Sequence, residues 1–140
     1  MATFIMVLSE TRAATARMDQ QPLVCVVDDD TAMLRALRLL IATSGFSVET
    51  YASAEQFLES SRARTVDCLV VDVHLGGVSG LDLHEGLVRS GSPIPVVFIT
   101  AYDDGPTRER ARRSGAVEYL TKPFDEEVLI DAIRRAIGRN

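Results

Sequence analysis

The stretch VCVVDDD, residues 24–30, runs from four apolar residues directly into three carboxylates. A short continuous apolar run of this kind is typical of a strand that is buried on both faces of a parallel sheet. Three adjacent negative charges repel one another, and burying a carboxylate without a partner is costly. The stretch therefore predicts a buried strand whose last residues face water or a positive group.

The remainder of the chain repeats the order of strand and then helix. The predicted strands are residues 23–27, 46–51, 67–72, 94–100 and 116–121, and the predicted helices are residues 31–45, 53–62, 80–91, 106–115 and 125–140. Continuous apolar strands joined by helices indicate a parallel sheet that is covered by helices on both faces. The sequence therefore predicts an α/β fold.

Helical spacing also predicts where some side chains lie. We expect Ala54, Phe57 and Leu58 on one apolar face of the second helix, and His84 on the surface of the third. The run RERARR, residues 108–113 in the fourth helix, is typical of a solvated face, and a role in partner binding is an equal alternative.

Charge and cysteine content exclude several classes of protein. The net charge is −5 and no tract is strongly basic, so we expect no direct binding of nucleic acid. The two cysteines, Cys25 and Cys68, lie in apolar runs and form no CxxC pair. We therefore expect buried, unlinked thiols that bind no metal, in a cytoplasmic protein.

The first 21 residues stand outside the repeating order. Their apolar run FIMVL, residues 4–8, is short and follows no positive charge, which is unlike a signal peptide. No apolar stretch is long enough to span a bilayer, so we expect no membrane insertion. We expect residues 1–21 to form a poorly ordered extension and residues 22–140 to form one domain.

Parallel strands bring the residues that follow them to one edge of the sheet, where such folds place their functional crevice. These residues are Asp28, Asp29, Asp30, Asp72, Thr100 and Lys122. Converging carboxylates suit Mg²⁺, which takes one or two of them together with waters and a phosphoryl oxygen. A carboxylate can also accept a phosphoryl group as a nucleophile, while a lysine and a hydroxyl hold the remaining oxygens. Asp30 is expected only to cap the following helix.

The motifs VVDDD, LVVDVHLGGVSG, FITA and YLTKPF occur in this order and at a familiar spacing. In these motifs the chain, from residue 22 to residue 140, resembles the receiver domain of bacterial two-component response regulators. The resemblance implies a flavodoxin-like fold of five parallel strands in the order 2-1-3-4-5. The segments SAEQFL and GAVEYLTKPF further resemble receivers that precede a helix-turn-helix output domain. Because the printed sequence ends with the fifth helix, we expect a stand-alone receiver or a regulator separated from its output.

The resemblance implies a role for each acidic residue of the site. Asp72 would be the phosphoacceptor and would also contribute to the Mg²⁺ site. Asp29 would bind Mg²⁺ directly, Asp28 would bind it through water, and the backbone carbonyl of His74 would supply a further ligand.

The resemblance also implies a switch and partners. Lys122 would pair with the phosphoryl group, Thr100 would bond one of its oxygens, and Tyr119 would swing inward as Thr100 moves. A sensor histidine kinase would donate the phosphoryl group, and a downstream protein would bind the region of the fourth helix and fifth strand. A homodimer that depends on phosphorylation is a further implied partner. Such a domain is not an enzyme, since it catalyses only its own phosphorylation and dephosphorylation.

Two local features depart from the resemblance or leave its consequences open, and a third agrees with it. Residues 75–77 read LGG where the family often has Met-Pro, so we expect a more flexible loop. His74 and Tyr102 occupy positions with which the family tunes the lifetime of the acyl phosphate. The peptide bond between Lys122 and Pro123 is expected to be cis.

An alternative is a phosphohydrolase of the haloacid dehalogenase type with Asp28 as the nucleophile, because VVDDDTA approximates that family's Asp-x-Asp loop. Ala32 stands where that family needs Thr or Val, and Asp72 would have no role. A flavodoxin-like FMN binder is a weaker alternative, because three aspartates would repel the phosphate of FMN. An unphosphorylated scaffold is disfavoured, since every key residue type is present.

Overall fold

The computed structural model describes residues 21–92 and 94–138. The strands are β1 (Leu23–Val27), β2 (Ser47–Tyr51), β3 (Cys68–Asp72), β4 (Val96–Thr100) and β5 (Glu118–Thr121). They form one sheet in the order β2-β1-β3-β4-β5, and every neighbouring pair is parallel. The predicted α/β fold and its strand order are confirmed. The prediction that residues 1–21 form a poorly ordered extension falls almost wholly outside the described residues.

Five α-helices follow the five strands. They are α1 (Thr31–Thr43), α2 (Ala54–Glu59), α3 (Gly80–Arg89), α4 (Gly105–Arg113) and α5 (Glu126–Gly138), with a short 3₁₀ helix at Arg62–Arg64. The first four each begin after a residue whose side chain accepts hydrogen bonds from the first backbone N–H groups: Asp30, Ser53, Ser79 and Asp104. The expected cap at Asp30 is confirmed. In the part of the chain that the structure describes, no helix is both long and apolar enough to cross a membrane.

The core has two layers, one on each face of the sheet. Apolar side chains of α1 and α5 pack on one face, and those of α2, α3 and α4 pack on the other. The central strands are fully buried, because helices cover both of their faces. This packing leaves the carboxyl edge of the sheet as the place where polar side chains can gather.

Two side chains lie where the sequence did not predict them. Leu58 is 49% exposed, so the apolar face of α2 is formed by Ala54 and Phe57 without it. His84 is buried rather than on the surface of α3. Its Nε2 hydrogen-bonds the carbonyl of Ser114 at 3.0 Å, and its ring meets Phe98 edge to face. His84 lies on the face of α3 that packs against the sheet and α4, and the carbonyl that closes α4 supplies its polar partner.

Helix α4 packs against the domain with few apolar contacts. Ala111 is its one buried side chain. Its arginines pair with acids: Arg108 with Asp103, Arg110 with Asp82 and Glu85, and both Arg112 and Arg113 with Glu109. The arginines of the run RERARR are therefore balanced by acids of the same chain, which leaves the solvated face and the partner-binding role as open alternatives.

The two cysteines are buried and unlinked, as predicted. They lie on neighbouring strands, but Cys25 belongs to the layer with α2 and Cys68 to the layer with α1, so their side chains point to opposite faces of the sheet. Burial raises the pKa of each thiol to about 12. Both side chains are also closed to solvent.

We expect neither thiol to react with a disulfide reagent such as DTNB in native buffer. At pH 8 about one in ten thousand of such thiols is ionised, and only the thiolate attacks. The same protein in denaturant, as the control, should release two equivalents of thionitrobenzoate. Stoichiometric labelling of the folded protein within minutes would contradict the burial of both residues.

Candidate functional site

Three carboxylates meet at the carboxyl edge of the sheet. Asp28 and Asp29 directly follow β1, and Asp72 ends β3, the neighbouring strand. Each can place one oxygen within 4.8 Å of the others. Asp28 and Asp72 are buried and Asp29 is exposed. A set of hard oxygen donors with one side open to solvent fits a hydrated Mg²⁺ ion.

Lys122 is the positive group that this cluster requires. Its Nζ donates hydrogen bonds of 2.9 Å to Oδ2 of Asp28 and of 2.9 Å to Oδ2 of Asp72. Its position follows from β5, where the backbone N–H of Lys122 continues the ladder to the carbonyl of Thr100 at 2.7 Å. The bond between Lys122 and Pro123 is cis, as predicted.

This arrangement raises the pKa values of both Lys122 and Asp28. Burial alone would lower the pKa of Lys122, but its hydrogen bonds to the two carboxylates outweigh burial and raise that pKa. Burial raises the pKa of Asp28, and the bonds from Lys122 and from the N–H of Asp30 partly oppose the rise. The ammonium therefore stays charged between two carboxylates.

Each carboxylate oxygen of Asp72 accepts one hydrogen bond. Its Oδ1 accepts the backbone N–H of His74 at 2.8 Å, while its Oδ2 faces Lys122. His74 itself is exposed, and its ring meets the exposed ring of Tyr102 edge to face at 5.7 Å. The two residues that were expected to tune the acyl phosphate thus stand together beside Asp72.

The loop that follows Asp72 depends on glycine. Gly77 adopts a φ of 78°, in the left-handed region that favours glycine, and an added Cβ would lie 2.7 Å from a carboxylate oxygen of Glu55. An added Cβ at Gly80 would lie 2.3 Å from the carbonyl oxygen of Asp72. Glycine is therefore required at residue 77 by the backbone conformation and at residue 80 by the close approach of the backbone of Asp72.

Thr100 is fully buried at the end of β4. Its hydroxyl donates to the carbonyl of Tyr102 at 2.9 Å and accepts the N–H of Tyr102 at 3.0 Å. The structure thus places Thr100 at the predicted edge, with its hydrogen bonds made inside its own loop rather than to a carboxylate.

Tyr119 lies half-buried on β5, with its hydroxyl oxygen buried. Burial raises the pKa of its phenol, and the carboxylates of Asp103 and Asp104 raise it further. The guanidinium of Arg108 lies over its ring, 4.8 Å from the ring centroid. Sequence reasoning missed Arg108 because an arginine in a charged helix carries no signal that distinguishes it from its neighbours.

The geometry distinguishes between the two candidate nucleophiles. Each carboxylate accepts one backbone N–H and the ammonium of Lys122, so hydrogen bonding does not separate them. They differ in exposure, because the side chain of Asp28 is closed to solvent and that of Asp72 is 9% exposed. Asp72 is thus the more accessible carboxylate beside a lysine and the candidate Mg²⁺ ligands, which can neutralise a transferred phosphoryl group. The arrangement favours phosphoryl transfer to Asp72.

Comparison with known proteins agrees with this geometry. Residues 24–134 match the model of the response regulator receiver domain family. The response regulator protein TodT of Pseudomonas putida is 40% identical over 119 residues, which cover 85% of this chain and 52% of TodT. Nodulation protein W of Bradyrhizobium diazoefficiens is 42% identical over 118 residues, which cover 84% of this chain and 52% of that protein. The chain thus spans about half the length of these relatives.

Solved structures of similar chains share the fold. The response regulator StyR is 45% identical, with a TM-score of 0.80 over 86% of this chain and 61% of StyR. The structure titled FixJ-N is 34% identical, with a TM-score of 0.78 over 86% of this chain and 97% of that chain. These findings support a phosphoacceptor module and not a phosphohydrolase. The chain therefore belongs to the response regulator receiver domain family, the signalling modules of two-component systems.

Proposed function

We propose that Asp72 accepts a phosphoryl group from the phosphohistidine of a sensor histidine kinase. The observation that carries this proposal is the bond of Lys122 to Asp72 beside a cluster of three carboxylates. In the transfer, a carboxylate oxygen of Asp72 forms the new bond to phosphorus while the bond from phosphorus to the histidine nitrogen breaks. Lys122 then donates to a phosphoryl oxygen, which stabilises the charge that arrives.

The residues around Asp72 fit a magnesium site. Asp29 would bind the ion directly, Asp28 would bind it through water, and Asp72 and the carbonyl of His74 would complete the protein ligands. When bound, the ion neutralises charge on the oxygens of the transferring group. Asp28 has a second task, since it holds Lys122 at 2.9 Å and so aims the ammonium at Asp72.

The switch would begin at Thr100 and end at Tyr119. A hydroxyl that donates to a phosphoryl oxygen on Asp72 must stop donating to the carbonyl of Tyr102, and Tyr119 would then swing inward. The surface of α4 and β5 would change with it and would control a downstream protein, an output domain or a second copy of the chain. The domain would act in the cytoplasm, in a protein whose only catalysis is its own phosphorylation and dephosphorylation. Residues 1–21 would form an extension outside this domain.

Replacement of Asp29 by Asn should weaken Mg²⁺ binding about ten-fold or more, because it removes a charged direct ligand from a site with few carboxylates. The measurement is a Mg²⁺ titration of each protein, followed by the NMR signals of the backbone amides near Asp72. A site of few carboxylates and several waters binds weakly even before the change.

The matched control is Asp30→Asn. Asp30 carries the same charge next to Asp29, but its side chain accepts the first N–H groups of α1, and asparagine caps a helix equally well. Its affinity for Mg²⁺ should change less than two-fold, by about the long-range effect of one charge. Equal affinities in wild type and Asp29→Asn would remove Asp29 from the proposed ligands.

A further inference from the structure

The ring of Tyr119 is covered by a cation from the neighbouring helix. Arg108 lies on α4 and Tyr119 on β5, and the 4.8 Å contact between guanidinium and ring joins the two elements. A guanidinium at this distance is attracted to the negative face of the ring. The buried hydroxyl of Tyr119 makes no hydrogen bond of good geometry among the described residues, although the carboxylate of Asp103 lies close enough to raise its pKa. The guanidinium of Arg108 over the ring is therefore a specific polar contact that helps to hold the ring in place.

Arg108 is itself held in a fixed orientation. Its Nε donates to Oδ1 of Asp103 at 3.2 Å and its Nη2 donates to Oδ2 at 2.7 Å. A guanidinium bound through two parallel hydrogen bonds has a defined plane, which a single hydrogen bond would leave free to rotate. Asp103 thus fixes the guanidinium of Arg108 in its position over the ring of Tyr119.

This contact is continuous with the hydrogen bonds of Thr100. Asp103 directly follows Tyr102, whose carbonyl and N–H groups both bond the Thr100 hydroxyl. A Thr100 hydroxyl that donates to a phosphoryl oxygen on Asp72 must stop donating to the carbonyl of Tyr102, because it has a single hydrogen. The loop that carries Asp103 then loses that hydrogen bond to β4, which loosens the anchor of Arg108.

We propose that Arg108, anchored by Asp103, is a positioning residue that clamps Tyr119 and opposes the switch. The inference rests on the proposed function, because it assigns the regulation of the same site. A contact that favours one of two conformations weakens the binding of every ligand that prefers the other conformation. The ligand in turn weakens the contact by the same factor. Removing the clamp should therefore strengthen the binding of a phosphoryl group at Asp72, although Arg108 makes no contact with that residue.

Binding of beryllofluoride, a reversible analogue of the phosphoryl group, tests this inference. Because it binds at equilibrium, the reciprocity of coupling applies to its dissociation constant. With Mg²⁺ in excess, ¹⁹F NMR should show that Arg108→Ala binds it about three- to ten-fold more tightly than wild type. Asp103→Asn should shift the constant in the same direction, since it removes the anchor.

The matched control is Arg112→Ala. Arg112 lies on the same helix and forms a two-bonded ion pair with Glu109, but that pair lies within α4. Arg112→Ala should leave the dissociation constant for beryllofluoride unchanged. Circular dichroism would establish that each variant is folded, and Arg108→Lys, which keeps the charge without the planar fork, should give an intermediate constant.

A double-mutant cycle separates the clamp from a general loosening of α4. If Arg108 acts through the ring, Arg108→Ala should have no effect in a Tyr119→Ala background. An unchanged constant in Arg108→Ala, or an effect that persists without the ring, would overturn the clamp and leave the proposed function standing. Failure of the wild-type protein to bind beryllofluoride would instead contradict the proposed function, and the clamp with it.

Discussion

Asp72→Asn should abolish the phosphoryl adduct that wild type gains from acetyl phosphate and Mg²⁺. Intact-mass measurement of the wild-type protein should show one added phosphoryl group, formed without a kinase because the site supplies a lysine and metal ligands. The amide of asparagine is not a nucleophile for phosphorus, so the variant should show no adduct. We expect this loss to be complete, because Asp28, the other carboxylate that Lys122 contacts, is closed to solvent.

Asp28→Asn separates the receiver from the phosphohydrolase alternative. In the proposed function Asp28 holds Lys122 and Asp72 is the acceptor, so this variant should form less adduct than wild type, in a detectable amount. Asp30→Asn, the charge-matched control in the same triplet, should match wild type, because Asp30 only caps α1. An adduct on Asp72→Asn together with none on Asp28→Asn would reverse the assignment of the nucleophile.

Gly80→Ala should destabilise the domain strongly, by about 3 kcal/mol in the free energy of unfolding. The added methyl would lie 2.3 Å from the carbonyl oxygen of Asp72 and 3.1 Å from Cα of Val73. Both are backbone atoms at the end of β3 or directly after it, and the N–H of Gly80 also bonds the carbonyl of Val73 at 3.1 Å. No side chain can rotate away to relieve the contact, so α3 or the end of β3 must shift.

Gly86→Ala, in the same helix, is expected to raise the free energy of unfolding rather than to lower it. The nearest atom to its added methyl is the end of the Arg89 side chain, 4.0 Å away. Alanine should therefore stabilise α3, by up to about 1 kcal/mol, through its higher helix propensity. Denaturant unfolding of the two variants and wild type measures both effects. Similar changes in both variants would show that the close approach at Gly80 does not matter.

Much of the fold could be predicted from the sequence because apolar patterning is a local property. The runs that became β1, β3 and β4 are continuous and buried on both faces, and their bounds differ from prediction by at most two residues. The carboxylates after β1 and β3 had to meet, because parallel strands end at one edge. The side chains of Cys25 and Cys68 lie on opposite faces of the sheet because of the register in which β1 and β3 pair. That register could not be predicted from the sequence alone.

The sequence by itself determined which segments form strands and helices, and which polar residue types lie at the carboxyl edge of the sheet. What only the tertiary structure decided is the partner of each polar side chain. Lys122 lies 94 residues from Asp28 in the chain and binds it at 2.9 Å, and His84 finds the carbonyl of Ser114 across 30 residues. The physical reason is that apolar burial follows from periodicity within one element, whereas a hydrogen bond needs two groups at a defined distance and angle. For Arg108 and Tyr119 that geometry exists only after α4 and β5 have packed together.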